Sequence, residues 1–283
     1  MNLKSITTTA ASAALLAFTA CNNNTTENAS ASDTTKVETT TTTTTAPSGP
    51  ITIAPVTGSP EFPDAQLGVK NVKAELQGTD SVKITIDYDV KNYELKSQTG
   101  DAASKNCNNS KDGQHIHFIL DNQPYVALYE PKRTFTVPVK SEHYLMSFLS
   151  RSYHESIKTP KAGVLYHFSV DEKGKLTKMD IPKTPMIFYS RPKGEYLGAD
   201  TKNLLLDFYV YNTTLAPDGN KVKVDVNGTN FDIDKWQPYF IQNAPMGDVT
   251  VKVQLVDKDG KNIEGVNTSV SRTAKLAAQE PMK

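Results

Sequence analysis

Two cysteines, one tryptophan, no excess of either charge and almost no helical periodicity characterise this 283-residue chain. Two thiols cannot make a disulfide framework or a four-thiolate zinc site. The 31 Lys and Arg residues are matched by 31 Asp and Glu. That balance gives no basic face for a nucleic acid, so no nucleic-acid partner is expected. No run of eighteen apolar residues appears, so no helical membrane span is expected. The Gly-x-Ser-x-Gly, Gly-x-x-x-x-Gly-Lys-Ser/Thr and His-Glu-x-x-His motifs are missing too. The familiar serine-hydrolase, phosphate-loop and zinc-protease signatures therefore do not apply, and a non-enzymatic protein is expected.

What is present begins with an address. Lys4 precedes a short apolar stretch, residues 6–18, which is too brief to span a bilayer. Leu16-Ala17-Phe18-Thr19-Ala20-Cys21 then places small residues before a cysteine. This resembles a bacterial lipoprotein signal, with Phe18 in the manner of Bacteroidota lipoboxes. The resemblance implies removal of residues 1–20, acylation of Cys21 and a cell-envelope location at the outer membrane, with the periplasmic side favoured. Several acyl chains suffice for stable anchoring. Residues 21–50, with seven threonines from Thr39 to Thr45, are too polar to offset their ordering entropy and read as a tether. Its reach as a coil is roughly 30 Å. Asp33-Thr34-Thr35 and Asp80-Ser81-Val82 resemble Bacteroidota O-glycosylation acceptors.

The remainder repeats itself. Shifted by 120, the segment from Glu75 to Asn92 falls on Glu195 to Asn212, with Glu, Gly, two Asp, Val and Asn identical. Shifted by 106, Gly113 to Asp121 falls on Gly219 to Asn227, and Glu142 to Leu149 on Asp248 to Leu255. The first copy thus carries fourteen extra residues between Asn92 and Gly113. Ile84, Ile86, Tyr88 and Val90 alternate with polar residues, as do Val222, Val224 and Val226. Period two predicts strands. The number of short strands favours an all-β fold of two tandem immunoglobulin- or fibronectin-like sandwiches, over residues 51–183 and 184–273. Pro182 to Pro185 forms a stiff connector, and residues 274–283 a tail with a possible helical turn from Ala274 to Gln279. One continuous sandwich is the alternative.

Features in one copy only are candidates for function. His115 and His117 stand where the other copy has Lys221 and Lys223. Since Ile116 and Phe118 must face the core, both histidines face away from it. A hairpin between this strand and residues 84–90 would set Asp89 near His117, giving two imidazoles and a carboxylate for zinc or copper. The plainer alternative is a solvated polar face. Gly113-Gln114-His115-Ile116-His117 resembles a G-x-H-x-H strand of uncharacterised secreted bacterial β-domains, which implies no known activity. Cys107, in the inserted loop, offers a third soft ligand or a free thiol, and the loop itself is a natural place for recognition. Arg151, Tyr153 and His154 group a guanidinium, a phenol and an imidazole suited to an anion. Ser150 to Ile157 resembles the Ser-Arg-x-His-x-x-Ile signature of forkhead-associated phosphopeptide-binding domains, one residue longer and without the upstream Gly-Arg pair. Trp236, Tyr239 and Phe240 offer a carbohydrate platform or sandwich core. The expected function is a lipid-anchored envelope binding or assembly module, its first domain meeting an envelope protein or small ligand. A zinc or copper protein using His115 and His117, and an anion or phosphopeptide binder using Arg151 and His154, are the alternatives.

Overall fold

The computed structural model describes residues 49–105 and 107–278; the lipobox with Cys21 and most of the tether lie outside them. Alternating burial sets the first half. β2 (Gln66–Gln77), β3 (Ser81–Lys91) and β6 (Lys132–Pro138) form one sheet, in the order β2-β3-β6. β4 (His115–Leu120), β5 (Val126–Leu128), β7 (Ser141–Ser150), β8 (Gly163–Val170) and β9 (Leu176–Lys178) form the other, in the order β5-β4-β7-β8-β9. Val82, Ile84, Ile86 and Tyr88 of β3 point inward against Ile116, Phe118, Leu145 and Phe168. Each such side chain fully removed from water contributes about 1.5–3 kcal/mol.

The second half repeats this plan. β10 (Met186–Arg191), β12 (Asn203–Tyr211) and β15 (Tyr239–Gln242) take the places of β2, β3 and β6. β13 (Lys221–Val226), β14 (Thr229–Ile233), β16 (Gly247–Val256) and β17 (Ser269–Ala277) take those of β4, β5, β7 and β8. The two shifts read from the sequence therefore map strand onto strand. Two departures matter. Pro192, which has no N–H to give a ladder, ends β10, and the chain resumes as β11 (Gly194–Leu197) in the other sheet, parallel to β17. β1 (Thr52–Pro55) pairs with β15, so this strand, placed in the first domain by the sequence boundary, belongs to the second half's sheet. Ala274 to Ala277 complete β17 rather than starting a helical turn, because Ala274 and Leu276 alternate inward into the core.

The halves are joined face to face. The outer side of β4, β7 and β8 presents Ile119, Met146, Phe148 and Leu165; β10 and β12 answer with Met186, Phe188 and Tyr209. Gly163 allows this approach, since a Cβ there would lie 2.7 Å from the Tyr209 ring. Asn122 pins the junction, donating to the Ile187 carbonyl at 2.8 Å and accepting from Tyr189 N–H at 3.0 Å.

The predicted hairpin between β3 and β4 does not form. β3 pairs with β2 and β6, and β4 with β5 and β7, so the chain crosses between sheets over residues 92–114.

Candidate metal centre

β4 does turn His115 and His117 away from the first core, but the face they occupy is the junction between halves, and both are fully buried. The solvated polar face is thereby corrected: the partner half covers it. Asp89 is elsewhere. It sits opposite Gly68 on β2, exposed and paired with Lys91 at 3.2 Å, so the carboxylate is not brought to the histidines.

A third imidazole takes that place. His154 lies in the turn after β7, closed by Arg151 N–H to the Glu155 carbonyl and His154 N–H to the Arg151 carbonyl, each 2.9 Å. The second half makes the same turn with Asp257 N–H to the Lys261 carbonyl at 2.9 Å and Gly260 N–H to the Asp257 carbonyl at 3.0 Å. Gly260 has φ +76° and His154 φ +69°. A left-handed position that glycine fills freely in one half is held by a histidine in the other, at a strain cost of about 1 kcal/mol or more. Backbone strain of this kind gathers at functional sites.

His115 Nε2 lies 2.9 Å from His117 Nε2 and 3.1 Å from His154 Nδ1. The three donor atoms all fall within 4.8 Å of one another. Proton positions follow from the partners. His115 Nδ1 meets the Gly113 carbonyl at 2.8 Å, and a carbonyl only accepts, so the proton is on Nδ1 and Nε2 carries a lone pair. His154 Nε2 meets Asn108 Oδ1 at 3.2 Å, while the Asn108 amide donates to Asp200 at 3.2 Å, so His154 donates from Nε2 and its Nδ1 is a lone pair. His115 Nε2 and His154 Nδ1, both acceptors by this assignment, lie 3.1 Å apart. His117 gives its Nε2 proton to His115 and accepts from Ser190 Oγ at 2.9 Å. The Tyr125 hydroxyl donates to His154 Nδ1 at 3.1 Å.

Burial, reinforced by nearby Arg191 and the other histidines, favours neutral rings. Burial above all draws His115 down to about 4 and His117 and His154 well below the usual imidazole range. Neutral imidazoles are metal-ready ligands. In a tetrahedral zinc site with bonds of about 2.0–2.1 Å, ligand atoms stand about 3.3 Å apart. The His115 nitrogen is within a few tenths of an ångström of that spacing from each neighbour. Outer-shell partners on the remote nitrogens, here the Gly113 carbonyl, Asn108 Oδ1 and Ser190 Oγ, are what such sites use to orient imidazoles.

The inserted loop closes the site. It supplies Asn108 and the Gly113 carbonyl, and Gly113, at φ +84°, is the residue whose Cβ would strike the Lys96 carbonyl oxygen at 2.2 Å. Ser110 Oγ meets Tyr129 Oη at 2.6 Å, tying the loop to the residue whose ring packs on His115. Cys107 is a buried free thiol, pushed up to about 11 by burial; it shares a small cavity with His154 and Arg191 but is not among the clustered ligand atoms.

The anion set separates. Arg151 is spent on Glu155 at 2.7 Å and on the Pro60 carbonyl, and Tyr153 donates to Asp101 at 3.0 Å; His154 alone turns to the cluster. Trp236 donates to the Phe208 carbonyl at 3.1 Å and edges onto Tyr209 while Tyr239 enters the core, so no common platform forms with Phe240.

The sequence reading overlooked Tyr125, Ser190, Arg191 and Lys193. Tyr125 stacks on His117, centroids 3.6 Å apart. Lys193 Nζ stands 4.0 Å from the Tyr125 ring centre and donates to its carbonyl at 2.6 Å; burial and Arg191 draw this ammonium down to about 8. Arg191, 7% exposed, donates to Tyr196 at 3.1 Å, and its Nε has no partner. Among the described residues no carboxylate lies within ion-pair reach of it. The available signal was β10 itself: Met186-Ile187-Phe188-Tyr189 is apolar at both parities, the mark of a strand covered on both faces.

No family model matches the chain, and no curated protein matches it significantly. Among solved structures it is similar to the fibronectin(III)-like modules of Clostridium thermocellum CbhA, at 14% identity and TM-score 0.27, over 77% of this chain and 98% of that one. It is also similar to the central fibronectin-III array of RIM-binding protein, at 11% identity and TM-score 0.22, over 77% of this chain and 63% of that one. The two tandem V-type regions of VCBP3, a v-region-containing chitin binding protein, match at 8% identity and TM-score 0.21, over 75% and 98%. No residue role passes from these proteins to this chain, whose two halves are β-sandwiches by their own strand order.

Proposed function

We propose that this chain is a lipid-anchored cell-envelope protein that binds zinc or copper between its two sandwiches, through His115, His117 and His154. The observation that carries the reading is the convergence of three buried imidazole nitrogens, with His115 Nε2 lying 2.9 Å from His117 Nε2 and 3.1 Å from His154 Nδ1. A cation among them would exchange the hydrogen bonds that His115 Nε2 and His154 Nδ1 accept for metal bonds. Imidazole suits both metals. The reading is one of binding rather than turnover: Ser190 and His117 pair a hydroxyl with a base, but both are fully buried, beyond the reach of an acyl substrate. The envelope anchor rests on the lipobox at Cys21, and the Cys21→Ser variant is expected to lose acyl labelling.

The test is metal analysis of protein purified without chelator, with zinc and copper titrated into any metal-free fraction. One metal per chain is expected in the wild type. His154→Gly installs the residue that the other half uses in the same turn, so it should fold and bind no metal. A wild-type chain that takes up neither ion overturns the reading.

A further inference from the structure

The metal reading leaves a charge problem. Three neutral imidazoles bring no negative charge to a divalent ion, while Arg191 and Lys193 both stand close by. Desolvated cations without a counter-charge are costly. Asp89 does not come, Glu155 is engaged by Arg151, and Asp200 is one residue removed, behind Asn108. The group that both cations do address is a phenol: the Arg191 guanidinium lies 5.4 Å and the Lys193 ammonium 4.0 Å from the Tyr125 ring centre.

We propose that Tyr125 is the fourth ligand of the metal, bound as a phenolate, with Arg191 and Lys193 balancing its charge. This rests on the three-histidine reading and deepens it. The phenol oxygen stands 3.1 Å from His154 Nδ1, close to the edge of a coordination tetrahedron, and the ring is held against His117 by stacking at 9° between planes. Its hydroxyl lies 3.1 Å from His154 Nδ1, the atom a metal must take, so a metal bound there displaces this hydrogen bond and meets the phenol oxygen beside it. On binding, the Tyr125 O–H bond breaks and its proton leaves to solvent. The oxygen lone pair forms the bond to the metal. The proton between His117 and His115 is replaced by one on His117 Nδ1, which then faces Ser190 Oγ. No oxidation state changes. Arg191 thereby gains the counter-anion that its buried position otherwise lacks.

The experiment loads the full chain with one equivalent of Cu(II) and compares it with Tyr125→Phe, which keeps the ring and its stacking. Expected for the wild type are a visible phenolate-to-copper charge-transfer band and the release of one more proton per metal than the variant at pH 7. Tyr125→Phe should still bind one copper, without the band and roughly tenfold or more weakly. Equal binding with identical spectra and proton counts would overturn the phenolate and leave the histidine site standing. Failure of both proteins to bind copper would remove the histidine site and the phenolate with it. Should the variant be insoluble, the wild-type spectrum decides alone: bound copper without the band overturns the proposal.

Discussion

Asp87 and Asp207 occupy the same place in the two halves, on β3 and β12, and meet opposite fates. Asp87 is a partly exposed residue paired with Lys132 at 3.4 Å. Asp207 is fully buried in the junction, bound to Lys158 at 2.8 Å and to Ser156 Oγ at 2.9 Å. The contrast runs the other way on β4 and β13, where the first half buries His115 and His117 and the second leaves Lys221 and Lys223 partly exposed. The halves therefore differ on the sides where they meet: the histidine sheet of the first and the β10-β12-β15 sheet of the second. These differences between the copies gather at the junction, and the candidate metal centre belongs to that junction.

The largest effect should come from the aspartates. Asp207→Ala leaves Lys158 buried without its partner and is expected to cost about 3–5 kcal/mol. Asp87→Ala should stay within about 0.5 kcal/mol, as surface changes do. Paired urea denaturation curves check this, and equal costs would erase the contrast between the two sides.

Acid comes next. In the metal-free protein, His115 has its proton affinity lowered on folding from an ordinary value of 6.5 to about 4, and His117 and His154 move in the same direction. Between those values the unfolded chain binds more protons than the native one, so stability is complete above about pH 6.5 and falls as pH drops toward 4. His115 alone accounts for about 3 kcal/mol across that window. Urea midpoints from pH 7 to pH 4 measure it. In His115→Gln/His117→Gln/His154→Gly the slope over that range should flatten, and an unchanged slope would mean that other groups govern it.

Much of the scaffold was legible from residue order. Alternation fixed the inward residues of β3, β4 and β13, and self-similarity at two shifts located matching strands, because side-chain period and repeat length are local quantities. Partner choice is not. β3 and β4 are consecutive, and a hairpin is the default for neighbours, but here the chain between them crosses from one sheet to the other, taking Asp89 away from His117. His154 was visible yet unassembled: the shift of 106 sets it on Gly260, and a histidine on a turn glycine is a signal of strain. Tyr125 and Arg191 were out of reach, since the two apolar parities of β10 say that its outer face is covered but not which residues of the other half it meets.

Orientation of the ligands supplies a finer test. Asn108 is the inserted loop's hold on His154, and the second half crosses the corresponding gap without such a loop. Asn108→Ala should leave the fold intact and lower metal affinity about 10- to 100-fold, the usual loss for an outer-shell partner. Competition against a chelator of known affinity reads this directly. Undiminished affinity would show that packing alone aims the ring.

The smallest expected effect bears most directly on what distinguishes the two copies. Lys221→His with Lys223→His copies the first half's strand motif into the second. Those side chains remain partly exposed, Gly260 still occupies the turn, and no inserted loop supplies an acceptor for a remote nitrogen. Two imidazoles on a wet strand lack the third ligand and the dry surroundings that hold rings neutral and fixed. Metal uptake should therefore stay at one per chain, with stability within about 0.5 kcal/mol of the wild type. A second equivalent bound as tightly as the first would assign the chemistry to the alternating His-x-His strand by itself, and the covering half, the strained turn and the loop would become packing around a site that did not need them.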